Sequence, residues 1–86
     1  HAESYCNLGV KEMRKGNVEA ARSYFATAAR LGEHLFEPFF NGALLAYKLG
    51  DFQEAFNLCR KALACFPDHA DSQELLRTLK AQFIAL

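Results

Sequence analysis

A 34-residue periodicity constrains this chain more than any other feature. Gly16 recurs as Gly50. The same offset carries Tyr5 onto Phe39, Asn7 onto Asn41, Gly9 onto Ala43, Asn17 onto Asp51, Val18 onto Phe52, Ala21 onto Ala55 and Ala28 onto Ala62. Doubling the offset lays His1-Ala2-Glu3-Ser4 on His69-Ala70-Asp71-Ser72. A period of this size marks a stacked-repeat architecture, in which one unit cannot bury its apolar face alone. The small-for-small pairs Gly9/Ala43, Ala21/Ala55 and Ala28/Ala62 weigh most. They mark sites where helices cross too closely for a larger side chain.

The spacing predicts helices over 2–15, 18–31, 36–49, 52–65 and 70–85. Gly16 and Gly50 are placed to end the first and third by a left-handed turn. Asn17 and Asp51 are expected to cap the second and fourth, and Asp51 with Glu54 has capping-box spacing. Gly32 ends the second helix, Pro38 is tolerated in the first turn of the third, and Pro67 breaks the chain after the fourth. Nothing alternates with period two for long, so no strand competes. The expected organisation is two helix–turn–helix units, 2–35 and 36–69, followed by a capping helix, 70–86. Leu75, Leu76, Leu79 and Phe83 would cover the second unit.

Composition removes several function classes. Ten Lys and Arg balance ten Asp and Glu, without the basic excess of a nucleic-acid module. The apolar share of 51% is too high for a disordered chain. The longest apolar runs, such as Ala43-Leu44-Leu45-Ala46-Tyr47, fall far short of the about 20 residues of a membrane span. A chain of 86 residues forms one small domain and is marginal alone. It begins at His1, with no recognisable signal or transit peptide, and its one methionine is Met13. It therefore reads as a piece of something longer. The face on which an earlier unit would stack is expected to be bare, and isolated chains could self-associate through it.

No catalytic or metal centre is expected, and no cofactor. Cys6, Cys59 and Cys65 form no CxxC pair and read as reduced, buried side chains. Cys65 and His69 lack a second pair to complete a zinc site. Cys6 has no histidine nearby in sequence to act as its base. His1, His34 and His69 fall near turns rather than converging. The carboxylate pairs Glu33/Glu37 and Asp68/Asp71 lie near helix starts, where capping and the helix dipole account for them.

The run Tyr5…Leu8-Gly9…Gly16-Asn17…Ala21…Phe25…Ala28, with Phe39…Gly42-Ala43…Gly50-Asp51-Phe52…Ala55…Ala62…Pro67, resembles the tetratricopeptide repeat over residues 2–69. Three departures stand out. Gly32-Glu33 replaces a usual proline, Gly42 a usual leucine, and Cys59 a usual aromatic. The first implies a different exit turn and the others a differently packed second core. The resemblance implies an all-α solenoid whose first helices line a concave face. That face would carry Cys6, Asn7, Val10 and Met13 from one unit and Phe40, Asn41, Leu44 and Tyr47 from the other, flanked by Glu3, Arg14, Glu37 and Lys48. Partner proteins would bind there through a helix or extended segment. Some co-chaperones of this family grip a C-terminal carboxylate with Lys, Asn and Arg. Here Asn41 fits, but Cys6, Val10, Asp71 and Leu75 occupy the other positions, with the wrong electrostatics.

The strings Glu12-Met13-Arg14-Lys15-Gly16, Phe36-Glu37-Pro38-Phe39-Phe40-Asn41, Phe66-Pro67-Asp68-His69-Ala70-Asp71 and Gln82-Phe83-Ile84-Ala85-Leu86 are similar to the C-terminal end of tetratricopeptide subunits of the BBSome. This resemblance implies a non-catalytic scaffold in a ciliary coat that moves membrane-protein cargo, located in the cytoplasm and at the cilium and basal body. Its partners would be other subunits of the coat. The alternative reading is a peptide-binding adaptor of another cytosolic complex.

Overall fold

The two left-handed glycines set the architecture. Gly16 (φ 86°) and Gly50 (φ 82°) are the positive-φ residues among the described residues, which are 1–85 of this computed structural model. At each, the chain closes the same pair of bonds. Gly16 N–H donates to Met13 O (3.1 Å) and Asn17 N–H to Glu12 O (2.9 Å); Gly50 N–H donates to Tyr47 O (3.1 Å) and Asp51 N–H to Ala46 O (2.9 Å). These bonds satisfy carbonyls that a helix end leaves open. A Cβ at either glycine would meet nothing within 4 Å, so backbone conformation alone demands glycine there.

Five helices result: α1 (Ala2–Lys15), α2 (Val18–Leu31), α3 (Glu37–Lys48), α4 (Phe52–Cys65) and α5 (Ala70–Ala85). The fold is all-α, and no strand occurs among the described residues. Position 86, the last of the expected third segment, lies outside them. Helix α3 is one residue shorter at each end than the sequence spacing suggested. Phe36 and Leu49 serve as its flanking residues.

The caps differ from expectation in two places. Asp51 Oδ1 accepts from Glu54 N–H at 3.3 Å, which is half of a capping box; the Glu54 carboxylate turns to Arg22, 3.6 Å away. Asn17 makes no side-chain cap. Its Nδ2 donates to Glu12 Oε2 at 2.6 Å, because the tight turn at Gly16 brings that charged acceptor within reach. The two exit turns are alike despite the missing proline. Leu35 N–H donates to Gly32 O (2.9 Å), and His69 N–H to Phe66 O (3.2 Å).

Consecutive helices pack in order, α1 on α2, α2 on α3, α3 on α4 and α4 on α5. Two cores form. The first holds Cys6, Ala21, Phe25 and Ala28, closed by Leu45 from α3. The second holds Ala43, Ala46, Ala55 and Cys59, closed by Leu75 and Leu79 from α5. Leu45 and Leu79 stand 34 apart, so α3 closes the first hairpin as α5 closes the second. Ala21, Ala28, Ala43, Ala55 and Ala62 are all fully buried. Gly9 is buried too: a Cβ there would fall 2.5 Å from Phe25 Cε1. Pro67 is exposed in the turn before α5.

Candidate protein-interaction face

Helices α1, α3 and α5 supply the candidate binding side chains, which gather in two places. Between α1 and α3 lies a polar hollow of 230 Å³ lined by Glu3, Cys6, Asn7, Leu35, Glu37 and Pro38. Asn7 is exposed there, whereas Cys6 is buried. Asn41 Nδ2 donates to Cys6 Sγ at 3.3 Å and bridges the two helices. Burial pushes the Cys6 thiol above its ordinary pKa. The nearby Glu37 and Glu3 carboxylates add to the rise, and the Asn41 bond opposes it. Cys6 is thus a neutral thiol held within the fold.

The second place is an open groove of 460 Å³ between α3 and α5. Phe40, Leu44 and Tyr47 form one wall, and Leu75 and Thr78 face them from α5, with Asp71 and Glu74 at the edge. The three α3 side chains are half-buried against the second core. Tyr47 leans on Phe52, with ring centroids 5.6 Å apart. Val10 and Met13 pack against the first core instead. Of the eight residues named from spacing, Cys6 and Asn7 line the hollow, Phe40, Leu44 and Tyr47 line the groove, and Asn41 bridges α1 and α3.

Sequence reasoning missed the α5 wall by treating that helix as a cap. The signal was available, because the 34-residue offset carries Glu37, Asn41 and Leu44 onto Asp71, Leu75 and Thr78. It also missed the joint that fixes α5. His69 lies against Phe36, Phe40 and Phe66, with ring centroids 4.4, 4.8 and 5.8 Å away. Its Nδ1 accepts from Ser72 N–H at 3.3 Å and lies 2.6 Å from Ser72 Oγ. Ser72 is fully buried, and its carbonyl accepts from Cys59 Sγ at 3.0 Å. His69 therefore caps α5 and ties its start to α3 and to the end of α4.

Among the described residues, no three His, Cys, Asp or Glu side chains gather as a metal site would require. Nor is any helix long and apolar enough to cross a membrane. Cys65, expected to be buried, is half-exposed, and its Sγ donates to Glu33 O at 3.3 Å.

A family model of the tetratricopeptide repeat matches residues 41–66, from mid-α3 to the end of α4. The chain is a tetratricopeptide-like helical repeat. All 86 residues align at 48% identity with human tetratricopeptide repeat protein 8, and at 46% with the mouse protein of that name. The chain spans 16% and 17% of those relatives. Gly42 and Cys59, the expected departures from the tetratricopeptide pattern in the second unit, sit in different surroundings. Beside Gly42 a small cavity of 90 Å³ opens between α2, α3 and α4. Around Cys59 the second core is filled by Leu75 and Leu79 from α5.

Proposed function

We propose that this chain is a non-catalytic protein-interaction scaffold, part of a BBSome-like coat in ciliary membrane-protein trafficking and cilium assembly. The groove between α3 and α5 carries the reading. Its aromatic and aliphatic wall is of the kind that anchors interfaces, and its two helices are tied together by the half-buried His69, which lies against Phe40 and caps α5 at Ser72. The coat assignment rests on similarity to tetratricopeptide repeat protein 8, which is the eighth Bardet–Biedl syndrome protein. In this reading, residues 2–35 and 36–69 are two repeats and 70–86 a closing helix. The chain works in the cytoplasm and at the ciliary base, and a neighbouring coat subunit occupies the groove.

The test is affinity purification of the parent protein with mass spectrometry, comparing the native sequence with Thr78→Arg, which fills the groove from α5. The expected outcome is stoichiometric recovery of coat subunits, reduced by the substitution while helicity is unchanged. Recovery of no stable partner, with salt-sensitive micromolar binding of short peptides instead, would favour a mobile-client adaptor.

A further inference from the structure

A second groove lies on the α2–α4 side of the molecule, and its charge is the reverse of the first. It measures 470 Å³ and has Phe39, Ala64 and half-exposed Cys65 among its lining residues, with Arg30 and Lys61 as its cations. Lys61 and Ala64 also line an adjoining hollow of 400 Å³ that reaches Arg60, so the depression continues across α4. One carboxylate, Glu33, lines the larger groove. The ion pairs formed among the described residues are Glu12–Lys15, Arg22–Glu54 and Glu74–Arg77. Arg30, Arg60 and Lys61 are not among them. Arg30 donates to the Thr27 hydroxyl at 3.3 Å, and Arg60 lies 5.9 Å from the centre of the Phe56 ring; neither contact neutralises charge.

We propose that this α2–α4 groove docks an acidic segment of a partner protein that inserts one apolar side chain. Arg30 and Lys61 against the single carboxylate of Glu33 line the apolar groove, and Arg60 adds a third cation from the adjoining hollow, so positive potential is concentrated where an approaching segment would lie. Exposed ion pairs are individually weak, so the apolar anchor holds the segment while the cations choose its sign. The α3–α5 groove has Asp71 at its edge, with Glu74 engaged by Arg77, and offers the same segment no cation among its described lining residues. Opposite charges thus direct different partners to the two faces of one small domain. This site is separate from the groove invoked for coat assembly.

The experiment uses fluorescence anisotropy on the 86-residue chain. The probes are a labelled peptide of glutamates around one phenylalanine, the same peptide with alanine for phenylalanine, and a single-stranded oligonucleotide. The expected result is binding of the first peptide at low salt, weakened about tenfold by Arg30→Gln with Lys61→Gln, and unchanged by Thr78→Arg. The alanine peptide and the oligonucleotide should bind more weakly than the first peptide. Because both substituted side chains are exposed, far-UV dichroism should show the double variant folded. Should it unfold, Arg60→Gln with Lys61→Gln replaces it in the same measurement. Absence of binding, indifference to the charge substitutions, equal binding of the alanine peptide, or equal binding of the oligonucleotide would each overturn the proposal.

Discussion

The ring of Phe25 occupies the space a side chain on Gly9 would need. A Cβ there would lie 2.5 Å from Cε1 and 2.7 Å from Cδ1 of the ring. Phe25 is itself 3% exposed and packed among Cys6, Ala21, Ala28 and Leu45, so the ring could yield only by shifting toward the 90 Å³ cavity it helps to line. In the second hairpin the same two positions are Ala43 and Cys59, both fully buried. A methyl on one helix goes with a smaller partner on the other.

Gly9→Ala should therefore destabilise the chain by about 1–3 kcal/mol through overpacking, despite the roughly 1 kcal/mol gained from helix propensity. Combining it with Phe25→Cys, which copies the second hairpin, should cost less than the sum of the two single changes. Urea denaturation of the four proteins measures this; strict additivity would show that the contact is not what sets the pairing. Ala55→Leu, at another fully buried position, should cost about 1–3 kcal/mol for the same reason.

Gly42→Ala should go the other way. Its Cβ would meet only Leu58 Cδ1, at 3.3 Å, the end of a flexible chain beside the 90 Å³ cavity. Removing a mid-helix glycine should then add about 0.5–1 kcal/mol. The midpoint of thermal unfolding should rise; a fall would mean Leu58 cannot yield.

The His69 joint makes a prediction about α5 alone. His69→Ala removes the acceptor for Ser72 N–H and leaves a fully buried hydroxyl without its partner, at a cost of about 1–3 kcal/mol. Amide exchange should quicken across 70–85 more than in α1 and α2. Uniform acceleration would mean that His69 supports the whole stack rather than the last helix.

The thiols should separate by environment. Cys65 is half-exposed and should react with an alkylating reagent before buried Cys6 and Cys59. Burial raises the pKa of both Cys6 and Cys59 above the ordinary 9.0. The folded state then keeps its thiol protons where the unfolded chain has lost them. Their contribution to stability is complete below 9.0 and declines as pH climbs from there toward the folded values. Thermal melts above pH 9.0 should show this decline, and Cys6→Ala should reduce it.

Most of the backbone was legible because its punctuation is local. Gly16, Gly50 and Asp51 act within a turn of themselves, and the helices they bound lie as the spacing implied. Asn17 misled because its competing acceptor, Glu12, comes near only once the Gly16 turn has closed. The effect of Cys59 could not be read from its own hairpin, since the atoms that fill its surroundings come from α5, 16 and 20 residues further on at Leu75 and Leu79. The groove was half legible for a similar reason. Phe40, Leu44 and Tyr47 follow helical spacing, but their opposite wall belongs to a helix whose apolar spacing is already accounted for by covering the second unit. His69 carried no signal beyond its place in a turn; its role depends on three phenylalanines from two separate segments.

The complementary fit of Gly9 with Phe25, and of Ala43 with Cys59, has a consequence for shuffling. A chimera that exchanged α1 for α3 alone would set a methyl against an aromatic ring at one joint and leave a void at the other. Exchanging whole hairpins keeps each matched couple together. The smallest heritable module of this architecture is therefore the helix pair, and a crossover point inside it should yield chains that fail to fold.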